Sequence, residues 1–330
     1  MGFRHRARLA IRGRLGAPKI GLFEAGSHRV VHIPNCHVQH PLINEVAAAV
    51  RSALVEARVT CYSDRAHLGL ARYLQVVVER HSATAQVVLV ANTESIQPLT
   101  QCLDLIRERL GPRLHSLWLN FNTQANNTIL GSEFHHYCGP SSVVETFGGA
   151  AVHYPPGAFG QSNLEVAQQI VEQIREWIAP GAQVTEFYAG VGAIGLSLLD
   201  RVGWIRLNEL SPQSLLGLQL GLAELPAILR DKIEVVSGAA GAATEALRDA
   251  QLVIVDPPRK GLDAPLTHAL ATRPPEELIY ISCGLSSFQN DLRLLLAGGQ
   301  LQLAALRAYN LLPFTEHVET VARFIRVQKQ

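Results

Sequence analysis

The sequence predicts an α/β fold whose C-terminal half forms a doubly wound, Rossmann-like sheet. From about residue 183 onward, short runs rich in valine, isoleucine and leucine alternate with segments of helical periodicity. A glycine-rich turn, EFYAGVGAIG, directly follows the first of these runs. Strands separated by single helices are joined by right-handed crossovers, so we expect these strands to lie parallel in one sheet.

The elements of this half follow from periodicity and capping residues. A helix, NLEVAQQIVEQIREWI, precedes the first strand; Asn163 is its expected N-cap, and its apolar residues form one stripe. The predicted strands are QVTEFYAG, WIRLNEL, KIEVVSG, QLVIVDPP and ELIYISC, and the predicted helices between them are GAIGLSLLDRV, SPQSLLGLQLGLAEL, TEALRDA and PLTHALATR. Ser211 and Pro212 suit the N-cap and first position of the second of these helices. The last two strand-like runs, QLQLAALRAYNLLP and HVETVARFIRV, predict an antiparallel hairpin.

The first half is less regular and predicts a smaller α/β domain. VVLVAN and LHSLWLNF are typical of strands, and PLINEVAAAVRSALVEA and TQCLDLIRERLG are typical of helices. Near VHYPPGAFGQSN, two prolines and two glycines interrupt both periodicities. We therefore expect a small domain that binds RNA at residues 1–155 and a catalytic domain at residues 156–330, assignments that depend on the motifs described below.

Composition excludes several classes of protein. The chain has 330 residues, of which 48% are hydrophobic and 17% charged, as in globular proteins with room for two cores. No window of 18 apolar residues occurs, so no membrane partner is expected. The five cysteines are an odd, scattered set, which argues against a disulfide framework and favours a reducing compartment, the cytoplasm.

The N-terminal segment GFRHRARLAIRGRLG contains five arginines, and no acid precedes Glu24. Two interpretations are open. Such a block can neutralise nucleic-acid phosphates and release their counterions. It can also be a strand edge that charge protects against pairing with other chains. Composition favours neither, although the net charge of the whole chain is only +1.

The glycine-rich turn indicates a nucleotide-like ligand without identifying it. Gly190, Gly192 and Gly195 have G-x-G-x-x-G spacing after a strand, and Glu209 follows nineteen residues after Gly190. Glycines let the backbone approach a ligand closely, and the carboxylate suits ribose hydroxyls. This arrangement fits NAD and S-adenosylmethionine equally well. Tight packing between strand and helix is the purely structural alternative.

Two later strand ends carry chemical groups. Asp256-Pro257-Pro258 follows the fourth strand, at the edge where open α/β sheets bind ligands. Cys283 ends the next strand, so we expect it beside Asp256. Most lone cysteines are small core residues. Here a helical pattern begins at Ser286, and the N-terminus of a helix favours a thiolate. A dehydrogenase has no evident need for this pair.

The ordered motifs YAGVG, DPPRKG, SCG and PFTEHVE resemble the RNA (uracil-5)-methyltransferase family. That family transfers a methyl group from S-adenosylmethionine to form 5-methyluridine in transfer and ribosomal RNA. The similarity extends over nearly the whole chain, from GFRHRARL through GLFEAGSHRVVHIPNC and AFGQSNL to HVETVARF. Each motif alone is common, whereas the ordered set is specific.

The resemblance implies roles for particular residues. Cys283 would add to C6 of uracil so that C5 can accept the methyl group, and Glu319 would then remove the C5 proton. Covalent addition divides one hard step into easier ones. Without Cys283, Glu319 would be interpreted as an exposed strand carboxylate. The implied cofactor contacts are Gln161, Tyr188, Glu209 and Asp256, together with the loop glycines Gly190 and Gly192. Phe159 is a weaker match, for stacking on the flipped base.

The chain departs from the family pattern in the cofactor loop and at the N-terminus. Glu186 and Gly284 replace an aspartate and an asparagine, SGAA at 237–240 lacks an acid, and Ala193 replaces a small polar residue. These changes put cofactor affinity in doubt. We expect a short form without the barrel domain and cysteine-rich segment of many members. Cys36 lies at the position of the fourth ligand of their iron–sulfur cluster.

No iron–sulfur cluster is therefore expected. A metal site built from histidines around Cys36 is disfavoured, because the spacing matches no common site. The HHYC cluster at 135–138 is interpreted in the same way. The expected partner is a transfer or ribosomal RNA loop that contains the target uridine, and we expect the arginine-rich start and the first half to recognise it. Two alternatives remain: a non-catalytic RNA-binding relative of the family and, with less support, an NAD-dependent oxidoreductase.

Overall fold

The computed structural model describes residues 2–327, which form two compact units. The first unit contains the residues up to Glu145 together with Pro155–Gly157. The second contains Thr146–Tyr154 and the residues from Ala158 onward. The expected domains at residues 1–155 and 156–330 were assigned by function and stay a prediction. The two units are defined only by how the chain packs. None of the helices between residues 2 and 327 combines the length and apolar character that crossing a membrane requires.

The first unit is a seven-stranded sheet with two helices. Its elements are β1 (Arg6–Arg14), β2 (Ala17–Phe23), β3 (Val30–His32), α1 (Pro41–Glu56), β4 (Ala71–Glu79), β5 (Thr84–Ala91), α2 (Thr100–Leu110), β6 (Leu114–Phe121) and β7 (Glu133–Cys138). The strand order is β3-β2-β1-β4-β5-β6-β7, and only the pair β5–β6 is parallel. Alternate residues of the central strands form one core with α1 and α2, as period-2 burial requires. The predicted α/β character of this half is confirmed.

The arginine-rich segment forms β1, which lies between β2 and β4. The strand-edge interpretation is therefore wrong. Arg12 is buried and makes a two-point ion pair with Asp64, with Nε–Oδ2 and Nη2–Oδ1 distances of 2.6 and 2.8 Å. The Nε of Arg8 donates to Oε1 of Gln75 at 2.8 Å. At least two of the five arginines thus stabilise the sheet.

The remaining elements belong to a large second sheet, to a small separate sheet and to the helices between their strands. They are β8 (Val143–Phe147), β9 (Ala150–Tyr154), α3 (Leu164–Trp177), β10 (Gln183–Phe187), β11 (Trp204–Glu209), α4 (Pro212–Glu224), α5 (Ala227–Arg230), β12 (Ile233–Ser237), β13 (Leu252–Val255), α6 (Ala264–Thr272), β14 (Glu277–Ser282), α7 (Leu285–Leu296), β15 (Leu301–Tyr309) and β16 (Glu319–Arg326). β8 and β9 form a separate two-stranded sheet, and the order of the large sheet is β12-β11-β10-β13-β14-β16-β15. Its first five strands are parallel and its last two antiparallel. The predicted Rossmann-like sheet with a terminal hairpin is confirmed.

Local sequence explains most element boundaries in this unit. The side chain of Asn163 accepts from the backbone N–H of Val166, and Ser211 caps α4. Two predicted helices are wrong, because GAIGLSLLDRV and TEALRDA contain only four-residue 3₁₀ helices, Gly195–Leu198 and Thr244–Leu247. Glycines disfavour a helix in the first segment, and the second is too short to sustain one.

Candidate active site

A cavity lies where the strand order of the second sheet reverses, at the carboxyl ends of β10 and β13. This is the position at which open α/β sheets bind ligands. The cavity encloses about 660 Å³ when the open solvent at its mouth is counted. Four residues that the sequence predicted as cofactor contacts line it: Gln161, Tyr188, Gly190 and Asp256.

One wall of the cavity is apolar. Ala167, Ile170 and Val171 of α3 face it, together with Ile281 at the end of β14. The sequence predicted the α3 stripe only as core, because its spacing is the same for a cavity wall and for ordinary packing. Phe159 also lines the cavity, and its side chain is 66% exposed.

The glycine loop keeps a conformation that side chains resist. Gly190 and Gly192 have φ of 59° and 85°, in the left-handed region. A Cβ atom on Gly192 would lie 2.7 Å from Cδ1 of Leu218, whereas one on Gly190 would meet nothing within 4 Å. Gly192 does not line the cavity. Its contribution here is close packing against α4, and its predicted role as a cofactor contact stays a prediction.

Glu209 lies at the end of β11 and holds the glycine loop. Its carboxylate accepts hydrogen bonds from the backbone N–H groups of Gly190, Leu210 and Ser211, at 2.7, 2.8 and 2.6 Å. A carboxylate has about four acceptor sites, so capacity for a ligand hydroxyl remains. Glu209 is outside the cavity lining, and its predicted contact with ribose stays a prediction.

Two carboxyl groups lie at the floor of the cavity. Glu186 is 1% exposed, and its Oε2 has no hydrogen-bond partner among the described residues. Burial, and then the negative charge of Asp256, raise the pKa of Glu186 well above its usual value. Burial raises the pKa of Asp256 to about 7. The sequence showed Glu186 only as a departure from a family motif, and its place near the carboxyl end of β10 was the available signal for a site residue.

Cys283 and Glu319 lie side by side at the ends of two antiparallel strands. Ser282 of β14 pairs with Thr320 of β16, so the next positions along the two strands are Cys283 and Glu319. Side chains at such opposed positions are close neighbours. Cys283 is half-buried and Glu319 is buried. The geometry therefore brings the predicted nucleophile and base together, while their roles stay predictions.

Burial and charge set the protonation of this pair. Burial, followed by the negative charges of Glu319 and Asp256, raises the pKa of the Cys283 thiol, and Arg259 opposes that shift. Burial and the charge of Asp256 raise the pKa of Glu319 to about 8, again against Arg259. Burial and two carboxylates thus oppose the thiolate that the N-terminus of α7, which begins at Leu285, favours.

Side chains from distant segments hold the loop that follows β13. The hydroxyl oxygen of Tyr188 accepts a hydrogen bond from the backbone N–H of Asp263 at 3.1 Å. Oδ2 of Asp291 accepts from the N–H of Leu262 at 2.9 Å and from the hydroxyl of Tyr280 at 2.6 Å. Sequence reasoning missed Asp291, because no motif distinguishes it from an ordinary polar residue of α7. Between residues 2 and 327, no group of three or more potential metal-ligating side chains occurs.

The sheet order, the terminal hairpin and the cavity at the reversal point define an α/β enzyme of the Rossmann-like methyltransferase class. A crystal structure of Pyrococcus abyssi tRNA (uracil-54, C5)-methyltransferase in complex with S-adenosyl-L-homocysteine matches with a TM-score of 0.81. The match covers 98% of this chain and 76% of that one, at 21% identity, and shows the shared fold.

Sequence relatives narrow the class to a family. The model of the tRNA (Uracil-5-)-methyltransferase family matches residues 148–327. A relative from Protochlamydia amoebophila, described as an uncharacterized RNA methyltransferase, is 36% identical over 98% of this chain and 86% of its own length. A second, from Geobacter sulfurreducens and described in the same words, is 29% identical over 98% of this chain and 66% of its own length. The chain belongs to the tRNA (uracil-5-)-methyltransferase family.

Two predictions are thereby confirmed, namely the family and the fold class. The prediction of an S-adenosylmethionine-dependent RNA methyltransferase is confirmed at the level of the family. The methylated carbon, the RNA, the roles of individual residues and the cytoplasmic location stay predictions. Family membership favours S-adenosylmethionine over NAD as the ligand of the glycine loop.

Proposed function

We propose that this protein transfers a methyl group from S-adenosylmethionine to C5 of a uridine in transfer or ribosomal RNA. Cys283 is the nucleophile and Glu319 is the base. The observation that carries the proposal is the adjacency of these two side chains at the ends of β14 and β16. Ile281, two residues before Cys283, lines the cavity, whereas Cys283 and Glu319 lie outside its lining.

The cavity fits S-adenosylmethionine on chemical grounds. The cofactor carries an ammonium group and a sulfonium, and its bound form supplies an electrophilic methyl group. The unpartnered Oε2 of Glu186 and the nearby carboxyl of Asp256 offer hydrogen-bond acceptors to such groups, and a bound cation would favour the ionised form of both carboxyls. The apolar wall from α3 suits the uncharged parts of the molecule. Gln161, Tyr188 and Glu209 complete the proposed contacts.

The reaction needs each residue in a defined protonation state. The Cys283 thiol must lose its proton before Sγ adds to C6 of uracil, and its raised pKa makes that loss less favourable in the free protein. The addition breaks the C5–C6 double bond and makes C5 nucleophilic, so that C5 takes the methyl group. Glu319 then removes the remaining C5 proton, the C5–C6 double bond forms again, and Sγ leaves. A base whose pKa is near the working pH suits this step, and the pKa of Glu319 is about 8.

Methylation by the purified full-length chain tests the proposal. Unmodified transfer RNA and ribosomal RNA transcripts are incubated with labelled S-adenosylmethionine, and the nucleosides are analysed for 5-methyluridine by mass spectrometry. Cys283→Ala should form no product. Glu319→Gln should lower turnover by roughly 10²–10⁴-fold, the usual contribution of a placed base, and should accumulate a denaturant-stable adduct with RNA. Cys36→Ala, a matched change of another half-buried cysteine, should retain activity. Unchanged turnover in Cys283→Ala would refute the mechanism.

Binding of S-adenosylmethionine by the same protein distinguishes the proposed enzyme from a non-catalytic RNA-binding relative. The altered cofactor loop motivates that alternative, because Glu186 and Ala193 depart from the family pattern. Calorimetry measures binding of S-adenosylmethionine independently of turnover. An RNA-binding relative without activity would show no binding at millimolar cofactor, whereas the proposed enzyme binds it even when Cys283 is replaced.

A further inference from the structure

The loop between β15 and β16, which leads into the proposed base at the start of β16, carries an exposed aromatic ring. Phe314 lies at the tip of this loop, five residues before Glu319, and its side chain is 76% exposed. Leu311 of the same loop is buried and anchors it to the unit. Single exposed apolar residues are common on protein surfaces, so exposure alone carries no conclusion.

The backbone of Phe314 provides a second, independent observation. Its φ is 67°, in the left-handed region that bulky side chains disfavour and glycine tolerates. The hydroxyl of Thr315 donates to the carbonyl of Leu312 at 2.7 Å, and the backbone N–H of His317 donates to Oγ1 of Thr315. These bonds hold the turn that directs the ring outward. A strained backbone that presents an apolar ring to solvent opposes stability, which points to a functional cause.

The surroundings suit a nucleic acid. Arg259 acts electrostatically on both Cys283 and Glu319, and the side chains of Arg259 and Lys260 are exposed. Exposed cations at the mouth of a site attract phosphates. Phe159 adds a second exposed ring at the cavity. Unstacked RNA bases bind on aromatic side chains, and a uridine that leaves its stack exposes the faces of its neighbours.

We propose that Phe314 stacks on the RNA base adjacent to the target uridine and holds the strand while that uridine reaches Cys283. This contact deepens the proposed function and rests on it for the identity of the target nucleotide. It makes Phe314 a positioning residue that acts on the affinity for RNA and not on the chemical step.

Substitutions at Phe314 test the contact with a fluorescein-labelled hairpin RNA that has uridines in its loop. Base–aromatic stacking is worth enough that Phe314→Ala should weaken RNA binding by roughly 5–150-fold in anisotropy titrations. Phe314→Trp should retain affinity. Ile228→Ala changes an equally exposed residue of α5, 75% exposed, and should bind as the wild type does. Unchanged binding in Phe314→Ala overturns the inference.

Phe314→Gly separates stacking from a structural role. Glycine relieves the strain of the left-handed backbone, so the melting temperature of Phe314→Gly should equal or exceed that of the wild type. Its affinity for RNA should fall as in Phe314→Ala. A lowered melting temperature with unchanged RNA affinity would assign Phe314 to the fold and overturn the inference.

Abasic RNAs identify the stacked base. Removal of the base on one side of the target uridine should weaken wild-type binding, and should have no further effect in Phe314→Ala. If each abasic site weakens both proteins equally, the stacking contact is refuted. If the wild type binds RNA but forms no 5-methyluridine, the proposed function fails on its own, and the anisotropy comparison still decides the role of Phe314.

Discussion

We expect kcat/KM for RNA to rise with pH between pH 7 and 9. Glu319 acts in its ionised form, and its pKa is raised to about 8. A group with this pKa is ionised to roughly 9% at pH 7, roughly 50% at pH 8 and roughly 91% at pH 9, so its ionised fraction increases about tenfold over that range. A glutamate with an ordinary pKa of about 4.3 would contribute no change there. The thiol of Cys283 also has a raised pKa and must lose a proton, which adds to the increase.

Replacement of Arg259 perturbs this pH dependence in a defined direction. The positive charge of Arg259 lowers the pKa of both Cys283 and Glu319. Arg259→Met removes that charge, so both pKa values should rise and the midpoint of the pH profile should move to higher pH. Each unit of increase in the pKa of Glu319 lowers its ionised fraction at pH 7 by about tenfold. Lys260→Met is the matched control, because Lys260 is the neighbouring exposed cation and pairs with Asp263 at 3.2 Å.

Initial rates at subsaturating RNA, measured from pH 6 to 9 at constant ionic strength, give kcat/KM and therefore the pKa values of the free protein. The rate of adduct formation by Glu319→Gln reports the ionisation of Cys283 in the absence of the charge of Glu319, which by itself raises the pKa of the thiol. A wild-type profile that is flat from pH 7 to 9 would refute the reasoning. So would a midpoint in Arg259→Met that coincides with those of the wild type and Lys260→Met.

Two further predictions concern stability. Gly192→Ala should lower the free energy of unfolding by about 2–4 kcal/mol, because the new Cβ sits on a left-handed backbone and lies 2.7 Å from Cδ1 of Leu218. In Gly190→Ala the new Cβ meets no atom within 4 Å, so that change should lower the free energy of unfolding by only about 1–2 kcal/mol. Equal losses in urea unfolding would contradict this reading of the loop. Asp291→Ala should cost about 2–4 kcal/mol, since the buried hydroxyl of Tyr280 loses its acceptor, and Tyr280→Phe should cost about 0.5–1.5 kcal/mol. A thermal-unfolding series in which Tyr280→Phe is the more damaging change would show that the hydroxyl, not the carboxylate, organises the loop.

Local patterns in the sequence were sufficient for most of the fold. The alternation of apolar strands and amphipathic helices predicted the parallel sheet, and the N-caps at Asn163 and Ser211 were predicted from residue type. Glycine-rich and very short segments were less predictable. Helices were predicted in two of them, and the structure has only the 3₁₀ turns Gly195–Leu198 and Thr244–Leu247 there. Periodicity indicates which face of a segment is buried, but it does not measure how closely the neighbours approach.

The candidate site was predictable in identity but not in energetics. The strand ends predicted Cys283 beside Asp256, because the ends of neighbouring strands meet at one sheet edge, whereas Glu319 was predicted from the family resemblance. The effect of burial and of two nearby carboxylates on the thiol of Cys283 was not predictable from its place before a helix. A pKa depends on desolvation and on charges from distant segments, and neither is visible in a local pattern.

The sequence by itself determined the α/β class, which follows from local periodicity, and the family, which follows from the ordered motifs; the candidate catalytic residues were implied by that resemblance. Only the tertiary structure decided that β1 is an interior strand, that Asp291 holds the loop after β13, and that Phe314 is exposed on a left-handed backbone. The physical reason is that burial, charge and backbone strain arise from residues far apart in the chain, and folding alone brings them together.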